Sequence, residues 1–112
     1  MISIPTPGRP VRGSRSGAPI MALFDLLGRR WAMGVLWTLC EHDPLTFRAL
    51  QERCETISPA VLNQRLKELQ AARFVAKVEG GYAATDLGLR VYAGLVPLGE
   101  IARSWSTALT SE

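Results

Sequence analysis

Apolar residues in this chain follow two different periods, and the change from one to the other outlines the fold. From Ile20 they become dense, and Met21, Phe24 and Leu27 suggest a short helix that ends at Gly28. Trp31, Val35, Leu36, Leu39 and Cys40 then recur at helical spacing and predict a second helix. Asp43-Pro44 breaks the chain, and Thr46 can cap a third helix through about Glu52, with Phe47 and Leu50 facing inward. Residues from Cys54 to Ile57 make a short turn. A helix follows from Ser58 to Arg73. Ser58 can accept from the free amides of the first turn, and Pro59 suits the first helical position because its missing donor would be unpaired there anyway. Leu62, Leu66 and Leu69 fall on one of its faces.

After Arg73 the helical period stops. The segments 74–79 and 82–85 read as two strands around Gly80-Gly81, a loop that tolerates the positive φ angles of a tight hairpin. Thr85 or Asp86 caps a last helix running to about Ala108. Val91, Leu95, Leu98, Ala102, Trp105 and Leu109 repeat along it in alternating steps of four and three, the spacing of a helix–helix seam. Pro97 predicts a kink or break within it. The fold class is therefore mainly α with a small β-hairpin wing, a winged helix-turn-helix.

The polar side of the segment from Ser58 gives this pattern its chemistry. At about 100° per residue, Ala60, Asn63, Gln64 and Lys67 point most nearly away from Leu62, with Glu68 on the flank. Asn and Gln can pair bidentately with adenine, and Lys can reach guanine or phosphate. A solvated amphipathic helix would share the apolar stripe, but the preceding short helix and the following hairpin place this one where a duplex reader belongs.

Residues 1–19 hold Pro5, Pro7, Pro10 and Pro19 among Gly, Ser and three Arg, a composition that predicts a flexible basic arm. Of the thirteen basic side chains in the chain, Arg9, Arg12 and Arg15 lie in the arm, which has no acid. The remaining ten balance the ten acidic ones, so the arm accounts for the net charge of +3. Residues 20–112 form the single domain. No apolar run is long enough to span a bilayer and the N-terminus lacks a secretory core, which points to a cytoplasmic protein. Cys40 and Cys54 lie within helical patterns and read as buried structural thiols. His42 has no companion at metal-ligand spacing, and capping at a helix end accounts for it. No paired carboxylates, nucleophile–base pair or phosphate-cradling loop supports an enzyme, and neither cofactor nor metal is expected.

Four segments, in this order, resemble the HxlR-type winged helix-turn-helix regulators of bacteria, relatives of the MarR group. Leu27-Gly-Arg-Arg-Trp31 is similar to the family's Gly-Gly-Lys-Trp signature, and Leu45-Thr-Phe-Arg-Ala-Leu50 to its Arg-Phe-x-Glu-Leu stretch. The run Ile57-Ser-Pro-Ala-Val-Leu-Asn-Gln-Arg-Leu-Lys-Glu-Leu69 resembles the recognition-helix pattern, and Tyr82-Ala-Ala-Thr-Asp-Leu-Gly88 the exit from the wing. The resemblance implies a homodimeric, sequence-specific transcription factor, most simply a repressor, bound to an inverted repeat in double-stranded DNA. By position, Ser58, Pro59, Ala60, Asn63 and Gln64 would face bases. Arg65, Arg48, Lys67 and Lys77 would hold phosphate, with Thr46 beside them. The dimer would form through the first and last helices, with Met21, Phe24, Val91, Leu95, Leu98, Ala102, Trp105 and Leu109 at the seam. Some family members sense oxidants through a Cys before a Pro near the N-terminus; Ala18-Pro19 stands there in this chain. Arg29 replaces the signature's second Gly with no consequence visible in the sequence.

Two further readings use the same residues. Phe24, Trp31, Tyr92 and Trp105 could line a cavity for a small aromatic effector. The balanced charge of residues 20–112 and the acid Glu79 near the hairpin tip would also suit a winged-helix protein–protein interaction module without DNA binding.

Overall fold

The computed structural model describes residues 2–42 and 44–111; Asp43, half of the expected chain break, lies outside them. Helix α1 (Pro19–Leu27) begins on Pro at its first position and ends at Gly28. Helix α2 (Ala32–Glu41) follows a turn in which Trp31 adopts φ 74°, the left-handed region, immediately before the first helical residue. Helix α3 (Phe47–Arg53) is capped by Thr46, whose Oγ1 accepts from Ala49 N at 3.1 Å. Helix α4 (Pro59–Ala71) is capped by Ser58, whose Oγ accepts from Val61 N at 3.2 Å. Strands β1 (Val75–Val78) and β2 (Gly81–Ala84) pair antiparallel, and helix α5 (Asp86–Thr110) completes the chain.

The core sits where α2, α3 and α4 meet. Val35, Leu36, Leu39, Leu50, Leu62, Leu66 and Leu69 are fully buried there, with Leu27, Ile57 and Val75 closing its edges. Each buried side chain of this size contributes about 1.5–3 kcal/mol relative to an exposed one, so these leucines fix how α4 lies on the domain.

Two features differ from the sequence reading. The hairpin turn is Glu79-Gly80, and Gly81 belongs to β2 opposite Val78. Leu45 is the reason: it bridges to Tyr82 through bonds of 2.8 and 3.0 Å and adds a third partner to the ribbon. At Gly81, where φ is +134°, a Cβ would fall 2.1 Å from the Leu45 carbonyl oxygen. Glycine is needed there for close approach as well as for turning. Second, α5 runs unbroken through Pro97. The acceptor that Pro97 leaves without its helical bond is the carbonyl of Ala93, an exposed residue open to water. Residues of the arm bond to one another and to α1. Gly8 N donates to Gly17 O at 2.9 Å, Val11 and Ser14 bridge, and Arg12 N donates to Asp25 Oδ2 on α1 at 3.2 Å.

The junction of α4, the wing and α5 is tied by one threonine. Thr85 Oγ1 donates to Arg73 O at 2.7 Å and accepts from Gly88 N at 3.0 Å, capping α5 while holding the end of α4. Thr85 N donates to Phe74 O, and at Gly88 a Cβ would fall 2.1 Å from that same oxygen. Cys40 Sγ donates to Gly88 O at 3.7 Å. The Thr-x-x-Gly exit from the wing is thus a packing requirement.

Candidate nucleic-acid interface

The α3–α4 pair turns through Cys54–Ile57, with Glu55 at φ 60°. Cys54 and Ile57 are buried beneath the turn, and Gln51 Nε2 donates to Ile57 O at 3.3 Å. This anchoring leaves the N-terminal turn of α4 projecting. Ser58, Pro59, Ala60, Asn63, Gln64 and Lys67 are all exposed, as the helical count predicts. Thr46 and Arg48 are exposed at the start of α3. The Arg48–Glu52 ion pair is long, at 3.9 Å, and open to water on both sides, so it competes weakly for the guanidinium. Lys77 is exposed on β1 opposite Tyr82.

The other flank of α4 departs from expectation. Glu68 is buried, only 3% exposed, and its carboxylate is surrounded by donors. Arg29 Nη1 lies 2.8 Å from Oε2, Arg65 Nη1 2.9 Å from Oε1, and Gln64 Nε2 3.0 Å from Oε2. Arg65 also donates through Nε to the Arg30 carbonyl at 2.7 Å. Arg65, expected to hold phosphate, is engaged as a strut between α4 and the α1–α2 turn. Its two bonds point in the fixed directions of a guanidinium fork, a geometry that lysine does not reproduce. Arg29, whose place in the signature had no apparent consequence, brings the second cation to Glu68. Burying one carboxylate costs several kcal/mol unless it is paired and hydrogen-bonded, and here three donors meet it. Gln64 is therefore both exposed and committed: one amide N–H is engaged inward while the rest of the group faces out.

The expected seam residues divide. Val91 and Leu95 pack against the domain's own core, half-buried. Met21 is half-buried beside Gly13 of the arm. Phe24, Leu98, Ala102, Trp105 and Leu109 are exposed, and Trp105 and Leu109 remain 66% and 67% accessible. Ile20, Phe24, Leu87, Leu95 and Leu98 form an apolar groove between α1 and α5.

The four aromatic residues expected to share a cavity lie apart. Phe24 lines the α1–α5 groove, and Trp31 lies against the core under the Arg30 guanidinium, 5.6 Å from its ring. Tyr92 meets Trp37 edge-on at 4.8 Å and donates to Glu41 Oε2 at 3.0 Å. That bond and the Glu41 charge hold the phenol above its ordinary pKa. Trp105 projects on the free end of α5. His42 caps α2 as expected, donating its backbone N–H to Thr38 O, and its ring Nε2 lies 3.4 Å from Arg53 Nη1. Among the described residues no cluster of three or more metal-ligating side chains occurs, and no helix is long and apolar enough to cross a membrane.

Three helices around a core, a capped and exposed α4, a β-ribbon joined by Leu45 and a long final helix define a winged helix-turn-helix domain. The chain belongs to the family described as "Domain of unknown function (DUF7347)", which matches residues 21–95. The structure is similar to that of a possible HxlR family transcriptional factor from Thermoplasma volcanium, at 25% identity and TM-score 0.69, covering 79% of this chain and 84% of that one. It is also similar to quinone-bound YodB from B. subtilis, at 27% identity and TM-score 0.66, covering 80% of this chain and 97% of that one. In sequence, an HTH-type transcriptional regulator from Halalkalibacterium halodurans, BH0655, is 33% identical over 61 residues, 54% of each chain. The chain spans about half the length of that curated relative.

Proposed function

We propose that this protein is a sequence-specific DNA-binding transcriptional regulator of the cytoplasm, acting as a homodimer and repressing by covering a promoter. The observation that carries the reading is the bare outer face of α4. Asn63, Gln64 and Lys67 stand exposed while the opposite side of the same helix is locked by three leucines and the Glu68 cluster. A rigidly held helix with outward-facing amide side chains suits base readout, and Arg48, Lys67 and Lys77 would supply charge for phosphates. Similarity to HxlR-type factors supports the same assignment.

The dimer is inferred from α5. Its second half leaves Leu98, Ile101, Trp105 and Leu109 more than half exposed, continuous with the α1–α5 groove. A second copy applied along this surface would bury both. Two α4 helices would then meet successive major grooves, with half-sites about 34–36 Å apart.

Footprinting on the DNA upstream of the gene tests the proposal. The expected result is a protected inverted repeat whose affinity falls steeply with salt. Asn63→Ala should relax base preference at one symmetric pair of positions, each lost contact costing about 1–3 kcal/mol. No protected site would refute DNA reading.

A small-molecule effector has a different home from the one the aromatic residues suggested. A cavity of about 440 Å³ lies between the arm and the domain, lined by Ile4 and Pro5 on one side and Leu26, Phe74 and Val91 on the other. Arg73 is its one charged lining residue. An apolar, planar molecule with one anionic group fits this lining. The oxidant route through a thiol before Pro19 has no counterpart, because that position is Ala18. Thermal-shift measurements with aromatic acids should raise the melting temperature, and a silent panel alongside intact DNA binding would refute the effector.

A further inference from the structure

We propose that Glu68 is a positioning residue that sets which way the Gln64 amide faces a duplex. Position 64 then prefers bases bearing an exocyclic amino group, adenine or cytosine, over guanine and thymine. The proposal rests on the DNA-binding reading above and adds the base class read by one side chain.

A glutamine on a bare helix face is ambiguous. A half-turn about its last side-chain bond exchanges acceptor for donor, so the same residue can meet either kind of base edge. Here the exchange is blocked. Gln64 Nε2 lies 3.0 Å from Glu68 Oε2, and a half-turn would set the amide oxygen against a carboxylate oxygen. Nor can the carboxylate swing away, because Arg29 Nη1 holds Oε2 at 2.8 Å and Arg65 Nη1 holds Oε1 at 2.9 Å. Arg65 is itself fixed to the Arg30 carbonyl, and the carboxylate is almost wholly buried. One N–H of the amide is committed inward and fixes the amide plane, and Oε1, which has no inward partner, is the group left to lead outward.

In the major groove a leading acceptor needs a donor on the base. Adenine offers N6 and cytosine N4, whereas the corresponding atoms of guanine and thymine are carbonyl oxygens. Asn63, one residue earlier, makes no side-chain hydrogen bond among the described residues and keeps both orientations. It serves as the internal control.

Two measurements on the full-length chain test this. In the free protein labelled with nitrogen-15, the Gln64 side-chain amide, assigned by its loss in Gln64→Met, should show one proton shifted downfield and slow to exchange. Glu68→Gln should abolish that shift. In selection from randomised duplexes, the wild type should choose adenine or cytosine over guanine or thymine by about tenfold or more at one symmetric pair of positions. Gln64→Met should lose the preference at that pair alone. Glu68→Gln should admit guanine and thymine there to within about twofold while the Asn63 position keeps its preference. If Glu68→Gln does not fold, the wild-type and Gln64→Met selections decide the matter. Guanine or thymine at the Gln64-dependent pair, or an amide that exchanges freely, overturns the positioning role and leaves DNA binding standing. A held amide with no selected duplex overturns the DNA-binding reading itself, and the base assignment with it.

Discussion

Replacing Arg65 separates two roles that α4 could give it, phosphate contact and internal strut. The Arg65 side chain is only 18% exposed and makes a 2.7 Å bond to the Arg30 carbonyl and a 2.9 Å charged bond to Glu68. Removing one partner of a buried ion pair costs about 3–5 kcal/mol when the other is left alone. Glu68 would not be left alone, because Arg29 and Gln64 stay on Oε2 at 2.8 and 3.0 Å. The loss then reduces to one charged hydrogen bond, about 1.5–3 kcal/mol, plus roughly 1 kcal/mol for the carbonyl contact. Alanine's slightly better helix propensity offsets a few tenths of that. Arg65→Ala should therefore destabilise the fold by about 2–4 kcal/mol and lower the thermal midpoint by on the order of 10 °C.

Urea unfolding at fixed protein concentration measures the first quantity, since any self-association makes stability concentration-dependent. Arg65→Lys sharpens the test. A phosphate contact tolerates lysine as a point charge, but a fork shared between a carbonyl and a carboxylate does not. Lysine should thus remain destabilised by more than about 1 kcal/mol. The reasoning is refuted if Arg65→Ala leaves stability within about 0.5 kcal/mol of wild type while reducing the salt slope of DNA binding by about one, and lysine restores that slope.

Gly81→Ala should cost more than about 1 kcal/mol and expose the Leu45 and Tyr82 amides to hydrogen exchange, because the new Cβ strikes the Leu45 carbonyl. Gly80→Ala, whose nearest obstacle is Pro44 at 3.5 Å, should be milder; the reverse order would return the turn to Gly80-Gly81. Cys54 is buried, and desolvation, opposed by a hydrogen bond from Thr38 and reinforced by the Glu55 charge, holds its thiol above the ordinary 9.0. Iodoacetamide at pH 8 should therefore label it only on unfolding. The fold keeps that proton longer than the unfolded chain does, so its contribution to stability should decline as pH rises past about 9. Wild type should lose stability there relative to Cys54→Ala, and parallel pH profiles would contradict the assignment. Trp105→Asp should yield a monomer in light scattering at micromolar concentration with the α2–α4 core intact by circular dichroism; a persisting dimer would move the seam elsewhere.

The elements visible in the sequence are those whose cause is local. Ser58 and Thr46 cap the helices expected of them, because a cap needs only the next three residues. The buried face of α4 follows from spacing alone. What escaped the sequence depends on a second segment meeting the first. The hairpin turn moves by one residue because Leu45, far outside the hairpin, claims the edge of β2 at Tyr82. Pro97 does not break α5 because the carbonyl it orphans belongs to a residue already in water. The aromatic residues separate because helical spacing gives their direction along a helix and nothing about which helices approach one another.

The same limit explains the most consequential difference, at Gln64, Arg65 and Glu68. A helical count assigns each residue an angle, and by angle Glu68 is a flank residue that could equally face water. Only the approach of the α1–α2 turn, with the Arg30 carbonyl and the Arg29 guanidinium, turns that flank into an interior. Arg29 then takes on a meaning that its own surroundings did not carry. One cation in the signature and one on α4 close on a single carboxylate, which pins α4 to the turn after α1. Since α1 also borders the apolar groove, any movement of that groove on meeting another copy would reach α4 through one short ion pair, Arg29–Glu68, and the Arg65 bond to the Arg30 carbonyl. The residues that hold the Gln64 amide thus also join α4 to the turn that follows α1, the helix bordering the groove.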